Sequence, residues 1–176
     1  LAIVFAPLPA AAPTLIDRYL VACADADIPA LLVLNKCDLL EGEQDHRLTL
    51  VEEYRALGYE FMLTQSNGDL TELKQRLDNE TVAFVGQSGV GKSTLINAIV
   101  PDAAQKTNVI SDNSALGQHT TTSTRLIGFG ENGALIDSPG IREFGLWHLD
   151  HDKIDNGFPE ISAFIGHCQY RNCTHT

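Results

Sequence analysis

The middle of the chain reads Gly86-Gln87-Ser88-Gly89-Val90-Gly91-Lys92-Ser93-Thr94, which contains a complete G-x-x-x-x-G-K-S pattern. The apolar run Thr81 to Val85 leads into this stretch, and the residues from Lys92 to Val100 predict a helix after it. A strand, a glycine-rich loop and a helix in this order predict a phosphate loop, because glycines let successive backbone N–H groups curl around phosphate oxygens. Lys92 would then reach the β- and γ-phosphates, and Ser93 would bind Mg²⁺. The alternative is a glycine-rich turn that merely precedes a helix.

A second short motif, Asn35-Lys36-Cys37-Asp38, stands earlier in the chain. It follows the apolar run Ala30 to Leu34, which predicts a buried strand, and ligands of open α/β sheets lie at the carboxyl ends of strands. The Asp38 carboxylate can accept two hydrogen bonds from guanine, the Lys36 stem can lie over the ring, and Asn35 can brace the loop or the base edge. Alone, N-K-x-D is equally compatible with a solvated turn. The phosphate loop in the same small domain favours the base-reading interpretation.

A third segment, Leu63-Thr64-Gln65-Ser66, ends the next predicted strand. It stands where a short Ser-Ala-like segment would support the base, although its residues depart from that pattern. Thr64 and Ser66 are therefore included among the candidate nucleotide contacts.

The magnesium side of the predicted site is indicated by Asp137-Ser138-Pro139-Gly140 at the end of an apolar run. In this D-x-x-G pattern Asp137 would hold Mg²⁺ through water, and the Gly140 N–H would sense the γ-phosphate. A simple Asp-Ser-Pro-Gly turn is the alternative. Between the phosphate loop and this motif lie three threonines, of which Thr121 is favoured as a further Mg²⁺ ligand, with Thr120 or Thr122 as alternatives.

The position after D-x-x-G is occupied by Ile141, whose side chain cannot orient a water molecule as the glutamine of many GTPases does. His119 is the titratable side chain beside the candidate threonines, and imidazole suits proton transfer or water positioning near pH 7. His119 is therefore predicted to be catalytic. The alternative is a solvated loop histidine.

Apolar runs alternate with helical patterns along most of the chain, which predicts an α/β domain with a mostly parallel sheet between helical layers, the P-loop NTPase fold. The stretch from Pro101 to Gly117 lacks an apolar period and predicts a loop. The predicted strands are Ala2–Ala6, Ala30–Leu34, Tyr59–Leu63, Thr81–Val85, Arg125–Phe129 and Ala134–Ile136, and the predicted helices are Pro13–Ala24, Asp45–Leu57, Asp69–Leu77 and Lys92–Val100.

Composition excludes several classes of protein. The 176 residues suffice for one α/β domain and a small appendage, and no apolar run approaches the ~20 residues of a membrane span. A formal net charge of −11 argues against a broad nucleic-acid surface on this stretch itself. The apolar start has no basic leader, so a buried strand and a cytoplasmic location are expected.

The C-terminal tail places Cys168, Cys173 and His175 within eight residues. These are zinc-ligand types, but a structural zinc site needs four ligands. The fourth is expected either beyond Thr176 or from His167. Two incidental cysteines in a frayed tail are the alternative.

Taken together, these motifs resemble the small-ribosomal-subunit-dependent GTPases of bacteria, a circularly permuted family in which the base-reading motif precedes the phosphate loop. The resemblance covers nearly the whole chain. It implies a GTPase domain over residues 1–150, the truncated start of a C-terminal zinc domain over 151–176, and a preceding oligonucleotide-binding barrel in the full-length protein. The catalytic histidine proposed for the family falls on His119.

The resemblance also implies an activity and partners: hydrolysis of Mg²⁺-bound GTP to GDP, stimulated by the small ribosomal subunit during its late maturation. Zn²⁺ in the full-length protein, contact with the subunit and its rRNA through the other domains, a monomeric state and no membrane association are expected. An alternative is a nucleotide-gated binding module, in which GTP or GDP occupancy controls the interaction. An ATP-dependent kinase is disfavoured by Asn35, Lys36 and Asp38.

Overall fold

A computed structural model describes residues 1–10, 12–42, 45–101, 107–109, 124–139 and 144–167. They form a sheet of seven strands in the order β3-β2-β1-β4-β7-β6-β5. The strands are β1 (Ala2–Phe5), β2 (Leu31–Leu34), β3 (Glu60–Leu63), β4 (Thr81–Val85), β5 (Thr107–Val109), β6 (Arg125–Phe129) and β7 (Gly133–Asp137). The helices are α1 (Pro13–Asp25), α2 (His46–Ala56), α3 (Thr71–Leu77), α4 (Lys92–Ile99), α5 (His151–Asn156) and α6 (Pro159–Ser162).

The first five strands in this order are parallel to their neighbours. The β6 and β5 strands continue the sheet with antiparallel pairing. Because parallel strands end at one edge, the ends of β2, β4 and β7 bring together the three predicted motifs, which begin at Asn35, Gly86 and Asp137. The α/β fold class predicted from alternating strands and helices is confirmed.

Two apolar cores lie against this sheet. One centres on β4 and α4, where Phe84, Leu95 and Ile96 have no exposed surface. The other joins β1 and β2 to helix α1 and includes Ile16 and Tyr19. Strands with both faces covered read as continuous apolar runs, which is why β1 and β2 are recognisable from sequence.

Two parts of the architecture differ from the sequence prediction. Strand β5 lies within the stretch predicted to be a loop, because Thr-Asn-Val is too short and too polar to give a periodic signal. It pairs only at the sheet edge, antiparallel to β6. In addition, residues 151–162 contain the short helices α5 and α6, which the apolar pattern does not indicate. No helix in the described ranges is long and apolar enough to cross a membrane.

Candidate functional site

The loop from Gly86 to Gly91 connects β4 to α4 and requires glycine at particular positions. Gly86 has φ +136°, and a Cβ atom there would lie 2.0 Å from the carbonyl oxygen of Val4 on the neighbouring strand. Gly91 has φ +97°, and a Cβ atom would lie 2.5 Å from the side-chain nitrogen of Asn35. The loop therefore packs directly against both the sheet and the predicted base-reading motif.

Lys92 points its ammonium group back into this loop. Its Nζ donates to the carbonyl oxygens of Gly86 at 2.9 Å and Gln87 at 3.1 Å, and the residue is only 6% exposed. Burial lowers the pKa of Lys92, and the negative charge of Asp137 opposes that shift. A buried cation is thus held by two backbone carbonyls of the loop, where it can neutralise phosphate charge.

The Asp137 carboxylate lies at the end of β7 and is 4% exposed. Burial raises the pKa of Asp137, while a hydrogen bond from Ser93 and the charges of Lys92 and Arg125 oppose that rise. Its Oδ1 atom is buried without a hydrogen-bond partner in the described part of the chain. An orphaned carboxylate oxygen beside a serine hydroxyl is a donor set that suits Mg²⁺ and its water ligands, so the predicted metal residues Ser93 and Asp137 fit the ion.

Asn35 joins the base-reading motif to the phosphate loop. It is fully buried, its Nδ2 donates to the Val90 carbonyl at 3.0 Å, and its Oδ1 accepts from the Thr64 hydroxyl at 3.2 Å. A buried amide with both ends satisfied fixes its neighbours, because breaking either bond leaves a polar group unpaired. The Thr64 hydroxyl therefore contacts Asn35, and Val90 contacts Asn35 through its backbone carbonyl, since the Val90 side chain is buried in the core.

Lys36 forms a second connection. It adopts a left-handed conformation with φ +61°, and its Nζ donates to the carbonyls of Leu8 at 2.8 Å and Gly89 at 2.7 Å. The side chain thus links the loop after β1 to the phosphate loop. Its aliphatic stem runs alongside Gly91, where an added Cβ atom would lie 3.7 Å from the Lys36 Cε atom.

A cleft of about 380 Å³ opens between these two motifs. Asp38 is exposed in it, on the short 3₁₀ turn Cys37–Leu39, where its carboxylate is free to meet a ligand edge. Cys37 turns away, since its Sγ contacts the Leu34 carbonyl at 3.1 Å and burial raises the pKa of its thiol. The cleft is lined by Asn35, Lys36, Asp38, Ser66, Asn67, Gly91 and Thr94.

This arrangement agrees with a sequence-family match. The RsgA GTPase family model matches residues 1–147. The chain belongs to the RsgA GTPase family. Small ribosomal subunit biogenesis GTPases of Histophilus somni (strain 2336) and Mannheimia succiniciproducens are each 51% identical to it over 176 aligned positions, which cover 98% of this chain. The chain spans about half the length of these curated relatives, 50% and 51%.

Solved structures of similar proteins share this fold. The YjeQ structure from Thermotoga maritima superposes with a TM-score of 0.75 at 27% identity and covers 99% of this chain and 59% of its own. The YloQ structure, described as a circularly permuted GTPase, has a TM-score of 0.73 at 29% identity and covers 99% of this chain and 56% of its own. The predicted resemblance and the circularly permuted fold are thereby confirmed.

Six of the predicted site residues lie outside the described residues. They are His119, Thr121, Gly140, Cys168, Cys173 and His175. The described residues contain no cluster of metal-ligating side chains of the kind that holds a zinc ion. Gln87 and Ser88 belong to the described loop and are half-buried. The remaining predicted contacts are brought to one edge of the sheet.

Two residues that contribute to the site are not predicted from the sequence. Asn67 lines the cleft beside Ser66, and Leu8 supplies a carbonyl to Lys36. Asn67 carries a weak signal, because it lies in the polar turn after the base-supporting segment. Leu8 carries none, since a backbone carbonyl is identified only by its position in the folded chain.

Proposed function

We propose that this domain binds guanine nucleotide with Mg²⁺ and hydrolyses GTP to GDP and phosphate. The observation that carries the proposal is the physical joining of two sites. Asn35 and Lys36 of the base-reading motif each bond directly to the phosphate loop, at Val90 and Gly89. These hydrogen bonds fix the spacing between the base-binding and phosphate-binding residues, as a nucleoside polyphosphate site requires.

Base selection is assigned to Asp38 and its neighbours. The exposed Asp38 carboxylate accepts from the N1–H and the exocyclic amine of guanine, two donors that adenine does not present together. Lys36 supports the ring with its aliphatic stem, and Ser66 closes the same cleft.

The phosphates are assigned to the loop and its lysine. The backbone N–H groups of residues 86–91, with Lys92, hold the β- and γ-phosphates, and Ser93, Thr94 and Asp137 complete this side of the site. Ser93 and Thr121, and Asp137 through water, would hold Mg²⁺, which would supply charge neutralisation at the phosphate oxygens. Gly140 contributes its N–H to the γ-phosphate.

In the hydrolysis step a water oxygen bonds to the γ-phosphorus while the bond to the β,γ-bridging oxygen breaks, leaving GDP and phosphate. We assign orientation of this water to His119, because Ile141 offers no hydrogen-bonding group. Lys92 stabilises the negative charge that develops at the bridging oxygen.

The biological setting is proposed from the family. The relatives' names describe small ribosomal subunit biogenesis GTPases, so we assign to this protein a cytoplasmic role in late maturation of that subunit, acting as a monomer whose turnover the subunit stimulates. Residues 1–150 would be the GTPase domain. Cys168, Cys173 and His175 would supply three of four zinc ligands at the start of a further domain, with rRNA contacts made by the accompanying domains.

The decisive experiment is multiple-turnover GTP hydrolysis by the intact protein with and without purified small ribosomal subunits. We expect slow turnover alone and a large increase with the subunit. Equal rates in both conditions would remove the ribosomal part of the proposal, and absence of any Mg²⁺-dependent phosphate release would remove hydrolysis itself. Zinc analysis of the intact protein and its Cys168→Ser variant tests the metal assignment separately.

A further inference from the structure

The Asp38 carboxylate can meet only one of the two polar edges of a guanine base. The N1–H and the exocyclic amine of guanine are donors, whereas its O6 and N7 atoms are acceptors. The proposed function places Asp38 against the donors. Because a carboxylate cannot donate, the acceptor edge needs a hydrogen-bond donor from another residue of the cleft. The base side is therefore incomplete with Asp38 alone.

Two nitrogen donors of the N-K-x-D motif are already bonded within the protein. The Asn35 Nδ2 atom donates to the Val90 carbonyl, and Asn35 has no exposed surface. The Lys36 Nζ atom uses two of its three donors on the carbonyls of Leu8 and Gly89. Turning either group toward a ligand would leave carbonyl groups unpaired, at a cost similar to the bond gained. The donor to O6 should therefore come from another part of the cleft.

Asn67 brings a side-chain amide to this cleft. It is exposed, it lines the cleft beside Ser66, and its amide has no hydrogen-bond partner among the described residues. The amide presents two N–H donors on a short side chain. Thr94 also lines the cleft, but it lies in the first turn of α4, two residues after Lys92 on the phosphate side. Asn67 is thus well placed to donate to the base.

A tight turn holds Asn67 at this position. The Gly68 N–H donates to the Gln65 carbonyl at 3.0 Å, which closes a four-residue turn with Ser66 and Asn67 at its two central positions. The Gln65 side chain folds over Gly68, where an added Cβ atom would lie 2.5 Å from the Gln65 Cγ atom. The two central residues therefore face the cleft, while Gln65 packs on the turn itself.

Backbone hydrogen bonds also fix this turn relative to Asp38. Thr64, which precedes the turn, donates its N–H to the Leu34 carbonyl at 2.8 Å, and its own carbonyl accepts from the Cys37 N–H at 3.1 Å. Cys37 directly precedes Asp38. The carboxylate and the Asn67 amide are thus carried by two segments that are bonded to each other, so their spacing is set before a ligand binds.

We propose that Asn67 is a specificity-determining residue whose side-chain amide donates to the O6 atom of guanine, while Asp38 accepts from N1–H and the exocyclic amine. The inference rests on the proposed function and extends it, because Asn67 belongs to none of the three nucleotide motifs. Its consequence is that nucleotide affinity depends on the atom at the O6 position, which Asp38 does not contact.

The test measures the affinities of GDP and thioguanosine diphosphate by isothermal titration of the intact protein and its Asn67→Ala variant. In thioguanosine a sulfur atom, a weak acceptor, replaces O6, and both donors that face Asp38 remain. We expect Asn67→Ala to lower GDP affinity by about 3- to 10-fold, the range of one neutral hydrogen bond, and to change affinity for the thio analogue by less than about 2-fold. Asn67 is exposed and has no positive φ, so the variant should fold normally.

Inosine diphosphate separates the two edges of the base. It keeps O6 and N1–H but lacks the exocyclic amine. Asn67→Ala should therefore lower the affinity for inosine diphosphate by the same factor as the affinity for GDP. Asp38→Asn should lower the affinity for inosine diphosphate by a smaller factor than the affinity for GDP, because one of the two contacts that it disturbs is already missing.

Two variants of the same turn are matched controls. Gln65→Ala removes a side-chain amide that packs on the turn, and Ser66→Ala removes a hydroxyl that lines the same cleft. Any effect of these two variants on GDP affinity should be shared by the thio analogue, so the ratio of the two affinities should stay within about 2-fold of wild type. Asn67→Ala should move that ratio.

Three results would overturn the inference. Unchanged GDP affinity in Asn67→Ala would leave O6 to a backbone N–H of the turn. Equal losses of GDP and thio-analogue affinity would place Asn67 on the sugar or the phosphates. A ratio that moves in Ser66→Ala and stays constant in Asn67→Ala would assign O6 to the serine hydroxyl. Failure of the proposed function looks different, since the wild-type protein would then not prefer GDP to ADP.

Discussion

The two halves of the proposed nucleotide site, a base side and a magnesium side, are built in opposite ways. On the base side the buried Asn35 is satisfied by the protein itself, because it bonds to both Val90 and Thr64. On the magnesium side the buried Asp137 keeps an oxygen without a partner in the described residues. A half whose buried polar groups are already bonded should accept the ligand without rearranging. The half with an unbonded carboxylate oxygen would be completed by the ligand and its ion.

The largest expected effect is a loss of turnover when the proposed catalytic side chain is removed. His119→Ala should lower subunit-stimulated turnover by ~10²–10⁴-fold, the usual contribution of a general acid–base or positioning group. Affinities for GTP and GDP should stay nearly intact, because the base and phosphate contacts remain. Turnover and nucleotide affinity measured on the same preparation check this. Equal stimulated turnover in variant and wild type would exclude the catalytic role, and a large fall in GTP affinity with normal turnover would make His119 a binding residue.

The next largest effect is a loss of nucleotide affinity when the base-side carboxylate is changed. Asp38→Asn removes a charged two-point contact, so GDP affinity should fall by about 30- to several-hundred-fold, and xanthine nucleotides should bind better than they do to wild type. Isothermal titration with GDP and XDP measures both changes. Because Asp38 is exposed, the thermal midpoint of the free protein should not move. Unchanged GDP affinity would remove Asp38 from the base pocket.

A smaller effect is expected on the free energy of unfolding when the contact between the two halves is disturbed. Gly91→Ala places a Cβ atom 2.5 Å from the Asn35 amide nitrogen, which is buried and cannot move without losing its bond to Val90. Gly42→Ala is the matched control, since Gly42 has a similar φ of +91° but nothing within 4 Å. Both lose the conformational freedom of glycine, and only Gly91→Ala should lose a further about 1–3 kcal/mol of unfolding free energy. Chemical denaturation checks this, and equal losses in the two variants would contradict the joint.

Whether a feature can be predicted from the sequence depends on how far apart along the chain its residues lie. Strands β1, β2 and β4 are apolar runs, and the phosphate loop has a fixed spacing, so local pattern suffices for both. The stacked rings of Tyr19 and Phe144 and the hydrogen bond from Arg18 to the Phe144 carbonyl join residues that are far apart, 126 positions in the case of Arg18 and Phe144, so no local pattern reports them. Strand β5 escapes because its pairing partner, and not its composition, makes it a strand.

The smallest effect is a pH-dependent change in stability at a residue outside both halves of the site. It serves as a control for the variants within the site. Asp45 caps α2, and hydrogen bonds from the backbone of Glu41 and from Arg47 lower its pKa from 3.8 to about 2. A lowered carboxyl pKa stabilises the fold above the unfolded value and loses that contribution as pH falls from about 4 to about 2. Asp45→Asn should therefore lower the thermal midpoint near neutral pH, and its difference from wild type should shrink over that acidic range.

Nucleotide binding should not follow this pH dependence, because α2 does not line the base cleft. Thermal unfolding of both proteins across pH tests the prediction. A difference that is constant down to about pH 2 would contradict the assignment of the shift to Asp45.

The proposed function requires that the base side and the phosphate loop form one guanine nucleotide site. Competition of unlabelled GTP and ATP against labelled GDP, with Mg²⁺ and the intact protein, tests it most directly. We predict that GTP displaces GDP at comparable concentrations, and that ATP requires at least about 100-fold more, since adenine presents no matching pair of donors to the Asp38 carboxylate. Displacement by ATP at the same concentration as GTP would contradict the claim and would reduce the joined site to a phosphate loop without base selection.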